Sequence, residues 1–408
     1  MKANFDTIKN YISNQEEKVI ELEEILTSIP SLAPENNGDG EYKKCLALEK
    51  YLTAHGITDL KHYDCPDPRV SGGLRPNLVA TIPGKDSSYA VWVCTHLDVV
   101  PVGEKSKWNT DPWKATVIDG KIYGRGTEDN QQGLISGVIA ALSFVEQNII
   151  PEHTIKLLFM ADEEVGSHYG MGYLVKEHLG IFGKQDRILI PDGGDEKGET
   201  IEIAEKNIAW FKFHTIGKQY HGSRPDLAKN AHLAACDLAL RVHDMKNVFN
   251  RQMELFEPPF STFEPTQKMQ NVEGVNIIPG DDIFCADCRI NPCYSLDEVR
   301  NELKKRISEV EAKYGVKIEV EELQAQESKA TSETSGVVVD LKQAIKAIHG
   351  IDARCIGIGG GTVSAELRNE GFDCVVWSTM DSLAHQVNEY AVIENTLIDA
   401  QTIAYIAL

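Results

Sequence analysis

Ala90-Val91-Trp92-Val93-Cys94-Thr95-His96-Leu97-Asp98 is an apolar run that ends in an imidazole and a carboxylate. Two later runs end in a similar way: residues 155–161 before Asp162-Glu163-Glu164, and residues 188–190 before Pro191-Asp192. Short runs that stay apolar instead of alternating suit strands covered on both faces, as in a parallel sheet. Residues 78–82 supply a fourth such run. Residues 130–147 place Leu134, Ile135, Val138, Ile139, Leu142 and Val145 at helical spacing. Strands alternating with helices predict a doubly wound α/β sheet. Ligands of such sheets gather beyond the carboxyl ends of the strands. His96, Asp98, Glu163, Glu164 and Asp192 are therefore expected at one edge, although sequence separates them widely.

Outward from this core, the spacing predicts one helix over 8–30, ending before Pro30, and another over 41–55. From about residue 209 the texture changes. Strands are expected at 208–216, 276–278, 283–290 and 316–320, and helices at 230–245 and 296–314. This βαββαβ order suits a small α+β domain. Helical and strand patterns resume after the polar stretch 324–336. The expected layout is an α/β domain in two parts, 1–208 and 323–408, interrupted by an inserted α+β domain at 209–322.

The chain has 408 residues, 42% of them hydrophobic and 25% charged, and a formal net charge of -21. That charge excludes nucleic acid or an anionic membrane surface as the main partner. No run of 18 apolar residues and no apolar leader core occurs, so a cytoplasmic location is expected. Nine scattered cysteines fit free thiols in a reducing compartment. Cys285-Ala286-Asp287-Cys288 has metal-site spacing but no matching second pair, and its alternating context reads as a strand with small buried side chains.

Taken singly, each polar residue has an ordinary structural use. His96 and Asp98 point the same way in an extended segment, so Asp98 can accept the second ring N–H of His96 and fix its tautomer. Glu163 and Glu164 point apart, and two adjacent carboxylates resist joint ionisation unless a cation is near. Asp129 follows Gly124-Arg125-Gly126 just before a helix, where aspartate is also a common cap. His385, in Leu383-Ala384-His385, is a lone late histidine. Together they form an imidazole and carboxylate set large enough for two borderline divalent cations with one carboxylate shared.

Thr95-His96-Leu97-Asp98-Val99-Val100-Pro101, Gly124-Arg125-Gly126-Thr127-Glu128-Asp129, Asp162-Glu163-Glu164-Val165-Gly166-Ser167, Asp192 and Ala384-His385 occur in one order along the chain. In these strings the sequence resembles the M20 family of zinc-dependent amidohydrolases and exopeptidases, which includes succinyl-diaminopimelate desuccinylase and acetylornithine deacetylase. The resemblance implies a zinc-binding α/β domain with an inserted lid that dimerises. It implies that His96 and Asp192 bind one Zn2+, that Glu164 and His385 bind the other, and that Asp129 bridges them. Co2+ or Mn2+ are possible substitutes. A cis peptide is implied at Asp129–Asn130, with Asp98 orienting His96 and Glu163 as general base and acid. One departure is Asn130-Gln131-Gln132-Gly133, where many relatives have Asp-Lys-Gly.

In the insert, Gly217 to Pro225 resembles the family's lid histidine segment, which implies that His221 stabilises an oxyanion in the neighbouring subunit. Asn276 and Arg289 match positions that hold a substrate carboxylate, a task suited to a guanidinium. The glycine-rich turn Gly357-Ile358-Gly359-Gly360-Gly361-Thr362 implies a pocket wall at Gly360. It is a poor dinucleotide fingerprint, since Thr362 stands where the third glycine is required. The expected activity is hydrolysis of the amide of an N-acyl amino acid by a homodimer. A dipeptidase is the alternative, and a non-catalytic metal-binding scaffold is disfavoured because no ligand or base is missing.

Overall fold

The computed structural model describes residues 2–408. The chain divides into two compact units: residues 1–203, 330–356 and 362–408 form the first, and residues 204–329 and 357–361 the second.

The first unit is built on an eight-stranded mixed sheet, in the order Leu60–His62, Leu78–Ile82, His153–Met160, Asp86–His96, Arg187–Ile190, Cys374–Val376, Thr200–Glu205 and Arg354–Ile358. At its centre the Asp86–His96 strand lies parallel to both His153–Met160 and Arg187–Ile190. Its last seven residues are all buried, as the unbroken apolar run requires. The helix Gly133–Glu146 is buried from Gly133 through Phe144 and packs against the C-terminal helix Ile393–Ile406. Each fully buried aliphatic side chain here contributes roughly 1.5–3 kcal/mol. Trp92 is enclosed as well, and its indole N–H donates to Asp186 at 2.6 Å.

The N-terminal helix expected over 8–30 is two helices, Lys2–Ile12 and Glu16–Thr27. At the break, the Ser13 hydroxyl and the Asn14 amide donate to the carbonyls of Lys9 and Asn10. Side chains that satisfy preceding carbonyls compete with continuation of the helix.

The second unit has a four-stranded antiparallel sheet in the order Thr262–Lys268, Asp281–Ile290, Asn207–Ile216 and Lys317–Gln326. Phe211, Phe213, Phe263 and Phe284 share one core with side chains of the helices Ala231–His243 and Leu296–Tyr314. Phe213 and Phe284 stack with centroids 4.7 Å apart. The second helix starts with a reciprocal Ser295–Glu298 capping box and ends at Gly315 with φ of 65°. Glycine adopts that left-handed conformation without steric cost. The chain order is βαββαβ, but its third element is Thr262–Lys268 and not 276–278. Pro265 disguises this strand in the sequence; it is tolerated because the strand lies at the sheet's edge. Ile277–Ile278 instead pairs with Tyr220–His221 in a separate two-stranded ribbon. Cys285 and Cys288 are buried and unbridged.

Candidate metal centre

Parallel pairing decides where the polar strand ends go. His96 is opposite Met160, and Val93 is opposite Leu189. The segments 96–98, 161–164 and 191–192 therefore leave the sheet along one edge. The remaining two sequence-predicted ligands reach the same place from loops. His96 Nε2 is 3.0 Å from Asp129 Oδ1 and 3.4 Å from Asp192 Oδ1. His385 Nε2 is 3.3 Å from Asp129 Oδ2 and 2.9 Å from Glu164 Oε2. Asp129 thus turns one carboxylate oxygen to each histidine. All five candidate ligands converge.

Two groups, His96–Asp129–Glu164 and His96–Glu163–Asp192, bring their donor atoms within 4.8 Å of one another. Glu163 belongs to the second group, although the family resemblance implies a proton-transfer role for it. Glu164 Oε1 is buried with no hydrogen-bond partner. An orphaned carboxylate oxygen in a nest of acids and imidazoles fits a divalent cation better than it fits a closed polar network.

The electrostatics carry the same message. Burial acts to raise Asp129, yet its contacts with His385 and His96 hold it below the ordinary aspartate range. Burial and the charge of Asp129 push Glu164 up to about 7. Burial, reinforced by Asp192, raises Glu163 well above a normal glutamate. Burial disfavours a charged His96, but Asp192 and Asp129 outweigh it and raise its pKa. Hydrogen bonds to Asp129 and Glu164 push His385 up to about 10.

Asp98 does more than the sequence suggested. His96 Nδ1 makes its shorter contact, 3.0 Å, with the Asp98 carbonyl oxygen, and lies 3.5 Å from the carboxylate. The carboxylate accepts the backbone N–H groups of Glu163 and Glu164 at 3.1 and 3.0 Å. Asp98 therefore holds the turn that carries both glutamates, and the left-handed Asp162 (φ 69°) aims those amides at it. His385 is left-handed too, with φ of 66°.

Asn130, the departure from the family string, has a legible use. Its amide donates to the Pro191 carbonyl at 2.6 Å and to Asp192 Oδ1 at 2.9 Å. Asn130 thereby orients a candidate ligand, a role the sequence reading missed. Gly133 begins the next helix so close to this segment that an added Cβ would lie 2.5 Å from the Pro191 oxygen. The Asp129–Asn130 peptide is cis.

The second-unit candidates sit differently. His221 is exposed, and its Nδ1 accepts the Ser223 N–H at 3.1 Å. A neutral ring so bonded carries its proton on Nε2. The ribbon pairs His221 with Ile277, and the Asn276 carbonyl accepts the Gly222 N–H at 2.7 Å. His221 and Asn276 are thus neighbours. Arg289 is engaged: its Nε and Nη2 donate to Asp287 at 2.7 and 2.9 Å, and Nη1 donates to the Gly359 carbonyl at 2.8 Å. At Gly360 an added Cβ would meet only Ile358, at 3.5 Å.

Residues 92–408 match peptidase family M20/M25/M40. This chain belongs to that family. An "uncharacterized metallohydrolase" of Methanocaldococcus jannaschii is 38% identical over 397 residues, covering 93% of this chain and 96% of the relative. A succinyl-diaminopimelate desuccinylase of Roseobacter denitrificans is 30% identical over 324 residues, covering 78% and 82%. Among solved structures, human carnosine dipeptidase 1 superposes with a TM-score of 0.77 at 17% identity, covering 99% of this chain and 98% of that one. The M20 member described here is accordingly a metal-dependent hydrolase with the family's α/β fold. Among the described residues, no helix is long and apolar enough to cross a membrane.

Proposed function

We propose that this chain is a two-cation amidohydrolase that cleaves the amide of an N-acyl amino acid. The observation that carries the reading is the carboxylate of Asp129 set between His96 and His385, with one oxygen toward each. His96 and Asp192 would hold one cation, Glu164 and His385 the other, and Asp129 both. Zn2+ suits this imidazole and carboxylate set, with Co2+ or Mn2+ as substitutes. When bound, such a pair supplies Lewis acidity to a scissile carbonyl and brings the pKa of a water toward neutrality.

The chain's own groups do the rest. Glu163 takes a proton from the attacking water and delivers it to the leaving nitrogen. Asp98 fixes the backbone of Glu163 and Glu164. His221 presents Nε2–H as a donor to the developing oxyanion of substrate held by the neighbouring subunit of a homodimer. Arg289, with two N–H groups beyond those given to Asp287 and Gly359, and Asn276 would hold the substrate's carboxylate. Gly360 leaves room next to the Gly359 carbonyl that Arg289 holds. The desuccinylase relative supports the deacylase class over the dipeptidase alternative. The proposed setting is the cytoplasm, which suits the nine free cysteines.

The test is a turnover panel on metal-loaded protein: N-succinyl-diaminopimelate, N-acetylornithine, other N-acyl amino acids and dipeptides, each with Zn2+, Co2+ and Mn2+. Preference for an N-acyl amino acid is expected. Preference for dipeptides would move the chain to the exopeptidase class. Inertness toward every member would overturn the catalytic reading.

A further inference from the structure

Two buried glutamates next to the metal centre reach across to each other's chain segments. The Lys121–Tyr123 strand pairs antiparallel with Tyr390–Val392, placing Tyr123 opposite Tyr390. Glu389 therefore arrives beside the segment that leads to Asp129. Its Oε2 accepts Arg125 Nη1 at 2.5 Å and the Gly126 N–H at 3.1 Å. Its Oε1 accepts the N–H groups of Glu128 and of Asp129 itself, at 3.0 and 3.1 Å. Glu128 works in the opposite direction. Its carboxylate accepts the Asp381 N–H at 2.8 Å and the Leu383 N–H, in the loop that carries His385. Both residues are buried, at 0% and 2% exposure.

The consequence is geometric. Each glutamate sits on the segment of one candidate ligand and grips the segment of the other. The Glu389 carboxylate holds the backbone at Asp129 from four residues beyond His385. The Glu128 carboxylate holds the loop two to four residues before His385 from the position preceding Asp129. His385 has an exposed side chain and a left-handed backbone. Its loop is also tied by Asn388 to Asn109 and Lys107 and by Asp381 to Tyr390, and the Glu128 carboxylate is the tie that comes from the Asp129 segment.

We infer that Glu128 and Glu389 form a reciprocal clasp that sets the spacing of Asp129 and His385, and through it the affinity for the cation those two residues share. The inference rests on the reading of Asp129 and His385 as ligands. Both glutamates are positioning residues: their carboxylates are spent on backbone donors, and they need no contact with cation or substrate. Partners that orient a ligand typically change metal affinity about 10–100-fold when altered.

Zinc ion is titrated into the chelator-stripped full-length protein against a chromophoric chelator, with parent, E128Q, E389Q and H385A compared. A glutamine keeps one acceptor oxygen and brings an amide that cannot accept. Expected is a loss of about 10–100-fold in one of two zinc-binding steps for E128Q and E389Q alike, in the same step that H385A removes. The other step, which Asp129 also serves, weakens by less. Backbone hydrogen exchange supplies a second readout: E389Q should speed exchange at Asp381 and Leu383, which Glu389 does not touch. Both zinc steps unchanged in folded E128Q would overturn the clasp. So would equal weakening of both steps in parallel with a lowered melting temperature, the mark of a general structural role. If E389Q does not fold, E128Q, which loses fewer donors' acceptor, decides alone. A parent that binds fewer than two zinc ions, or an H385A variant with both steps intact, identifies the ligand reading as the failure and removes the clasp with it.

Discussion

In the first unit, the buried carboxylates of Glu389, Glu128, Asp98 and Asp399 are held largely by backbone N–H groups and hydroxyls. In the second unit, the buried carboxylate of Asp282 faces Lys268, His232 and Asn271. Both solutions satisfy a buried acid, but of these four first-unit acids only Glu389 meets a guanidinium, that of Arg125, whereas Asp282 is neutralised by the ammonium of Lys268. Holding acids with neutral donors is costly, because desolvation opposes each charge. It also leaves negative charge and firm geometry where cations are to bind. The second unit invests its burial in phenylalanines instead, and its candidate residues His221 and Asn276 lie on an exposed ribbon. Substitutions in the first unit should therefore separate chemistry from folding, and those in the second unit should do so only outside its aromatic core.

The largest expected effect tests the first half of that contrast. Glu163→Ala should lower turnover by about 10²–10⁴-fold, the usual weight of a positioned proton carrier. It should still bind two cations per chain, measured by metal analysis after gel filtration. Activity within threefold of the parent would remove Glu163 from proton transfer. Loss of one cation would make it a ligand, as its place in the His96–Glu163–Asp192 group allows.

Next comes the aromatic core. Phe213 is fully buried and stacked on Phe284. Phe213→Ala should destabilise the second unit by about 3–5 kcal/mol in denaturant unfolding. Cation stoichiometry should be kept at temperatures where the variant remains folded. A cost below about 1 kcal/mol would mean that this core is not the second unit's main support.

His221→Ala should show the reverse pattern. Loss of an oxyanion donor costs about 10²–10³-fold in turnover, while removal of an exposed ring should change stability by less than about 0.5 kcal/mol. Mixing His221→Ala with Glu163→Ala protein should restore part of the activity through hybrid dimers. Complete absence of rescue would count against action across subunits.

Much of this contrast was legible in the sequence, and its gaps have physical causes. His96, Glu164 and Asp192 could be gathered because parallel strands end on one edge, a rule that needs no coordinates. Asp129 and His385 come from loops, and only the family resemblance joined them. The grip of Asp98 on Glu163 and Glu164 was hidden because it depends on the left-handed backbone of Asp162. Glu128 and Glu389 stand in plain view beside known strings, yet their exchange follows from the pairing of Lys121–Tyr123 with Tyr390–Val392, distant segments whose partnership no local pattern encodes. The edge strand Thr262–Lys268 was missed for the opposite reason: Pro265 is a strong local signal that tertiary position overrides.

The smallest effect separates the two ways of burying an acid. Asp399 is buried, and its carboxylate accepts the Thr379 N–H, the Thr379 hydroxyl and the Ser378 hydroxyl at 2.9, 2.7 and 2.9 Å. Burial pushes its pKa from 3.8 up to about 7, against those hydrogen bonds. A carboxyl whose folded pKa is raised binds its proton more tightly when folded. Its contribution to stability is thus fully present below about pH 4 and is lost as pH rises toward 7, by at most about 1.4 kcal/mol per pH unit. Asp399→Asn has no proton to lose. Unfolding by urea at pH 5, 6 and 7 should therefore show the variant gaining on the parent at each step, whatever the constant cost of the amide. Other titrating groups cancel in that difference. A gap between the two proteins that does not change with pH would show that Asp399 is ionised throughout, so that three neutral donors suffice to offset burial as completely as the cationic partners of Asp282.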